Sequence, residues 1–147
     1  MKRWQRGLRR EKGFTLVELV VVMTIIAILA GAIALQISNR VQDAKRARAK
    51  HDIENMKTAL ELYKADNGDY PTTQQGLAAL VQKPSSPPLP ANWDSRYIDK
   101  VGMDPWGGEY IYRCPGQDNP DGFDLICYGK DGNPGGEGND ADMSNLD

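Results

Sequence analysis

Two apolar rhythms divide the first half of the chain. From Phe14 to Leu35 the apolar positions are nearly continuous: thirteen of these 22 residues are Phe, Leu, Ile or Val, and Glu18 is the one charge. At ~1.5 Å per residue a helix of that length spans about 33 Å, close to the ~30 Å hydrocarbon core of a bilayer. From Gln36 to Asp66 there is no Pro or Gly, and Ile53, Met56, Leu60 and Tyr63 recur at three- and four-residue spacing. That is the single stripe of an amphipathic helix. Asn67-Gly68 is a helix stop. The pattern predicts one continuous helix over about 14–66, roughly 80 Å long. Its first half would lie in lipid or against like chains, and its second half under a globular part.

The remaining pattern is mixed. Thr72 or Thr73 can cap a short helix through Val81, with Leu77, Leu80 and Val81 inward. Four prolines in Lys83–Trp93 make an extended loop, which Trp93, Tyr97 and Ile98 can pin to the core. Asp104-Pro105-Trp106-Gly107-Gly108 reads as a turn. Glu109–Arg113 and Phe123–Tyr128 read as antiparallel strands. Trp106, Tyr110, Tyr112, Phe123 and Tyr128 are expected in the core. The fold class is therefore α+β, a long N-terminal helix packed on a small antiparallel sheet.

Charge sets the orientation. Residues 1–12 carry six bases and one acid, net +5, against −2 for the whole 147-residue chain. A basic head before an apolar span belongs on the cytoplasmic side. From Asp118 onward there are eight acids and one base, Lys130, so the body has no nucleic-acid-binding character. The helix cluster Arg40, Lys45, Arg46, Arg48 and Lys50 reads as a solvated face, and His51 as ordinary helix surface. The apolar residues favour the bilayer by roughly 0.3–0.6 kcal/mol each. Glu18 would cost about 3 kcal/mol at the bilayer centre, so the span inserts despite it. A secretory signal peptide would be shorter and end at a small-residue cleavage site. A plain single-span anchor leaves Glu18 unexplained. Cys114 and Cys127 lie beyond the span, where a disulfide can form; two reduced thiols are the alternative. In a simple hairpin register Cys114 stands opposite about Asp124, so the bridge would need a bulge or another register.

Gly13-Phe14-Thr15-Leu16-Val17-Glu18, behind a basic leader and before a long apolar helix, resembles the processing site of type IV prepilins and pseudopilins. The resemblance implies cleavage between Gly13 and Phe14 by a prepilin peptidase and N-methylation of Phe14. It makes Glu18 an assembly residue, meeting the new α-amine of another subunit. A lone carboxylate in lipid needs such a partner; a Glu18 resting near the headgroups is the plain alternative.

The stretch from Asp131 to Asp142 is rich in Gly and Pro and in hard oxygen ligands: Asp131, Asn133, Glu137, Asn139, Asp140 and Asp142. Calcium takes roughly 6–8 oxygens in irregular geometry. The spacing half-matches an EF-hand loop but lacks its flanking helices and an acidic fifth position. A solvated acidic loop is the alternative. Asp104-Pro105-Trp106-Gly107, Tyr128-Gly129-Lys130-Asp131-Gly132, Gly135-Gly136 and Asp140-Ala141-Asp142 resemble the major pseudopilins of type II secretion systems (general secretion pathway protein G). So does Asp66-Asn67-Gly68 through Tyr70-Pro71-Thr72 and Gln75-Gly76-Leu77. The resemblance implies a pilin-like fold with a calcium-binding C-terminal loop. Its ligands would be Asp131, Asp140, Asp142 and the Tyr128 backbone carbonyl.

The expected organisation is a cleaved basic leader (1–13), a transmembrane and filament-core half-helix (14–35) and a periplasmic pilin-like domain (36–147). The protein would be a single-pass inner-membrane homopolymer subunit of the periplasmic pseudopilus, driving export of folded proteins across the outer membrane. The implied partners are minor pseudopilins, prepilin peptidase, an inner-membrane platform protein and an assembly ATPase. A type IV pilin for adhesion, motility or DNA uptake is the second reading. An enzyme is not expected: there is no nucleophile elbow, no phosphate loop and one histidine. A calcium-binding receptor module on a single span would leave the Gly13-Phe14…Glu18 arrangement unexplained.

Overall fold

The computed structural model describes residues 13–147, without the side chains of Ala34, Leu35, Gln36 and Ser38. The basic leader of residues 1–12 lies outside the described residues. One helix, α1, runs Leu16–Asn67. The chain divides into two compact units, one ending at Asn39 and the other comprising Arg40–Asp147.

In the first unit the helix begins behind Thr15. The Thr15 hydroxyl accepts the Glu18 N–H at 3.2 Å, and the Thr15 carbonyl accepts the Leu19 N–H at 3.1 Å. This is half of a capping box, Thr15-x-x-Glu18, which satisfies one of the amides that a helix start leaves without a partner. Glu18 thus stands in the first turn, where the helix dipole favours negative charge. The window Leu16–Ile33 has mean hydropathy 2.7, and none of it is buried within the chain.

In the second unit the periodic stripe becomes the core. Ala49, Ile53, Met56, Leu60 and Tyr63 are buried along one face of α1, with Ala59 beside them. They pack on Leu77, Ala79 and Leu80, and on the sheet residues Tyr112, Leu125, Cys127 and Met143, with Tyr110 and Phe123 flanking the strands. Burying a side chain such as Leu60 or Leu125 contributes roughly 1.5–3 kcal/mol. Asn67 ends α1, and Gly68 continues with φ 93°.

The sheet has three strands in the order β1-β2-β3, all antiparallel: β1 Ile111–Arg113, β2 Asp124–Cys127 and β3 Met143–Ser144. β1 and β2 are shorter than the patterns suggest, and β3 was not legible at all. Two residues are too few for an alternation. Asn145 extends the β3 pairing with both backbone and side chain: its N–H donates to the Leu125 carbonyl at 3.1 Å, and its buried amide accepts the Leu125 N–H at 2.6 Å and donates to the Phe123 carbonyl at 3.1 Å. Lys57 of α1 donates to the Asn145 carbonyl, tying this end to the helix.

Two buried carboxylates shape the loops. Asp104 accepts the Trp106 and Gly108 N–H groups, both at 2.8 Å, and a Cβ on Gly108 would stand 2.8 Å from its Oδ2. Asp124 accepts three successive amides, from Gln117, Asp118 and Asn119, so it orders the connection between β1 and β2. The expected helix through Val81 is split. Thr72 and Gln75 cap each other reciprocally, and Gly76, at φ 61°, then breaks the turn before a 3₁₀ segment at Leu77–Leu80. Gln75 also donates to the Ser86 and Pro88 carbonyls, and Trp93 to the Ala79 carbonyl, so the proline-rich loop is held at its middle and at its C-terminal end.

The Cys114–Cys127 disulfide is not made; both thiols are free. The register pairs Ile111 with Ile126 and Arg113 with Asp124. Cys114 and Cys127 therefore sit four positions apart along the ladder, ~13 Å, whereas a disulfide needs Cα atoms roughly 4.4–6.8 Å apart. Cys114 donates instead to the Gly122 carbonyl and Cys127 to Asp104 Oδ2. Burial is the main cause that pushes the Cys127 thiol up to about 11, with Asp104 adding to it. At pH 8 a thiol with a pKa of about 11 is ionised in about one molecule in a thousand. A brief maleimide treatment at pH 8 without reductant should add one adduct, on Cys114, to the native chain and two to the chain in denaturant. Mass spectrometry reads the count, and no adduct in denaturant would restore the disulfide.

Candidate functional site

Two regions carry the candidate residues, one in each unit. At the helix start, Gly13 and Phe14 are exposed and lie outside any helix or strand, just before the first turn. A peptide bond in that position is open to a protease, which a bond inside the helix is not. Phe14 is 80 % exposed, and the apolar side chains that follow it on the helix are exposed too. Thr15 was missed as a contributor, although T-x-x-E before an apolar run is a readable capping signature.

The acidic loop of the second unit folds back on itself. Gly129 and Gly136 have φ of 66° and 89°. A Cβ on Gly129 would stand 2.9 Å from the Asp140 carbonyl oxygen and 3.0 Å from that of Ala141; one on Gly136 would stand 2.5 Å from the Asp140 carbonyl oxygen. Glycine is needed at both places for the backbones to approach. Lys130 donates its N–H to the Asn139 carbonyl at 3.1 Å, and a 3₁₀ turn follows at Gly138–Asp140.

The candidate ligands stand in different surroundings. Asp131 is exposed and closes an Asx turn by accepting the Asn133 N–H at 3.1 Å. Asp140 is half-buried, and its N–H donates to the Glu137 carbonyl. Asp142 accepts the Gly135 N–H on Oδ2 at 2.9 Å, while its Oδ1 is buried without a hydrogen-bond partner. An unsatisfied buried acceptor costs about 1–3 kcal/mol, more for a charged group. A cation would satisfy it, so Asp142 fits a metal ligand. Among the described residues no three His, Cys, Asp or Glu side chains gather closely enough to hold a metal. Asp131, Asp140 and Asp142 thus do not form one carboxylate cluster, and a metal here would draw on backbone carbonyls as well. Calcium accepts that mixture.

The helix face opposite this loop is not simply solvated. Arg46 is half-buried and donates to the Ala141 carbonyl at 3.0 Å. Gln42 accepts the Trp106 indole N–H at 3.0 Å, and Lys45 lies over the Trp106 ring at 6.0 Å. Arg48 pairs with Asp52, which accepts the Tyr110 hydroxyl. Arg46 and Ala141 are 95 residues apart, so no local pattern could announce the contact.

Comparison with known proteins decides the family. The model for type II secretion system protein G matches residues 36–146, and the prokaryotic N-terminal methylation motif matches residues 8–34. The chain belongs to the type II secretion system protein G family. Among its relatives is the type II secretion system core protein G of Pseudomonas aeruginosa, 48 % identical over 140 residues, covering 95 % of this chain and 97 % of that one. The core protein G of Vibrio cholerae is 42 % identical over 141 residues, covering 95 % and 94 %. The crystal structure of the major pseudopilin from the type 2 secretion system of enterohaemorrhagic Escherichia coli superposes with a TM-score of 0.61 at 38 % identity, over 72 % of this chain and 90 % of that one. The fold is pilin-like, as expected, and protein G is a family of structural subunits.

Proposed function

We propose that the chain is the processed structural subunit of a periplasmic pseudopilus that drives folded proteins across the outer membrane in type II secretion. The observation that carries this reading is the methylation motif coinciding with an apolar helix that none of the described residues covers. Cleavage between Gly13 and Phe14, with N-methylation of Phe14, leaves that helix at the new terminus. Residues 14–35 lie in the inner membrane before assembly and in the filament core after it, and residues 36–147 lie in the periplasm. Polymerisation is the mechanism: apolar half-helices exchange lipid for one another while the globular parts face outward. Prepilin peptidase, minor pseudopilins, a platform protein and an assembly ATPase act on or with the chain. The protein G match supports secretion over adhesion, motility or DNA uptake.

Glu18 sets the subunit register. In the isolated helix its backbone is capped by Thr15. Its carboxylate meets the amine of a neighbouring Phe14 when subunits stack with an axial offset. In Glu18→Ala the Thr15 cap survives, because it uses the backbone N–H. The variant should therefore insert and be cleaved normally, yet assemble poorly. Filament yield by electron microscopy beside a processing blot checks this, and wild-type filament yield would remove Glu18 from assembly.

The acidic loop binds calcium through Asp142, with Asp131, Asp140 and the Tyr128 carbonyl as further ligands. The orphaned Asp142 Oδ1 supports this reading most directly. Bound calcium would supply the positive charge that offsets carboxylate repulsion in the loop. At 100 times its Kd it would add about 2.7 kcal/mol, a rise in melting temperature on the order of 5–10 °C for a chain of this size. A chelator should remove that increment from the full chain in detergent, and Asp142→Ala should make the melting curve indifferent to chelator. A wild-type curve that ignores chelator would contradict the calcium reading.

A further inference from the structure

The geometry points to Arg46 as the positioning residue of the acidic loop: its guanidinium fixes the Ala141 carbonyl, and with it the backbone from which Asp140 and Asp142 present their carboxylates. This rests on the calcium reading and adds a residue that supplies no ligand atom.

Almost every hydrogen bond described within the loop is local. Lys130 bonds Asn139, Asn133 bonds Asp131, Gly135 bonds Asp142 and Asp140 bonds Glu137. Such a loop can hold its own shape and still swing as a body. Two features tie it down. β3 pairs Met143 with Cys127 just past its end, and Arg46 reaches Ala141 at 3.0 Å. Among the described residues Arg46 is the one helix side chain that donates into 131–142. It stands on a turn of α1 that is itself fastened, since Gln42 four residues earlier bonds the Trp106 indole. Ala141 is the residue between two candidate ligands. Holding its carbonyl fixes the peptide plane into Asp142, whose Oδ1 is buried and unpartnered.

The same guanidinium carries a positive charge, and a cation bound nearby would be repelled by it. Position and charge therefore act on metal affinity with opposite sign. If Arg46 acted through charge alone, neutralising it would tighten calcium binding. If it acts by placing the loop, neutralising it weakens binding, and partners behind a metal ligand commonly contribute about 10–100-fold in affinity.

The test is calorimetric titration of calcium into the full chain in detergent, for the wild type, Arg46→Gln and Arg46→Lys. Arg46→Gln should bind calcium at least about tenfold more weakly. Arg46→Lys, with its charge kept but a shorter single-point donor, should fall between the two. Amide exchange without calcium gives a second readout: the Gly135 N–H, which Asp142 accepts, should exchange faster in Arg46→Gln. Wild-type or tighter affinity in Arg46→Gln overturns the inference and leaves the calcium site standing. A wild type that takes up no calcium overturns both. Should Arg46→Gln fail to fold, Arg46→Lys decides, and an affinity equal to wild type counts against the inference.

Discussion

Among the described residues nothing covers the apolar side chains from Leu16 to Ile33. Water is not a tolerable neighbour for so many branched aliphatic groups at ~25 cal/mol per Å2 of apolar surface. Only two environments remove the cost, lipid and other helices like this one. A subunit that can be stored in the first and assembled into the second needs only a modest difference between them, because both are apolar. Polar groups then decide between the two states. Glu18 is the one charge in the segment, and it sits where the helix start already favours negative charge.

The second unit solves a different problem. It must hang a small sheet and several long loops on one helix face. The face is prepared by small residues at Ala49 and Ala59, which let the partner layer come close, and by Ile53, Met56, Leu60 and Tyr63, which fill it. The loops are then fixed by single side chains: Asp124 to three nearby amides, Gln75 to two carbonyls, Asn145 to β2 and, farthest along the chain, Arg46 to Ala141. With only three short strands, such contacts replace the ladder that a larger sheet would provide.

What was legible in the residues follows from which of these constraints are periodic. The helix stripe repeats, so it could be read, and so could the apolar run before it. Composition announced the acidic loop, because hard oxygens and glycine together are informative without any spacing. The half-capped start at Thr15 is equally local, written in Thr15-x-x-Glu18. The third strand, the Arg46 contact and the split at Gly76 were not readable, since each depends on residues far apart or on one backbone angle. The cysteines show the limit most plainly. Their position beyond a membrane span argued for a bridge, but the register places Arg113 against Asp124 and sends the two sulfurs to different partners.

The central claim is that the apolar helix becomes the N-terminus of the mature chain. The intact mass of the protein extracted from membranes of a cell with a working prepilin peptidase tests it most directly. The account predicts a chain that begins at Phe14 and carries one added methyl group on its amine. A chain still beginning at Met1, or one cut behind the apolar segment, would contradict it.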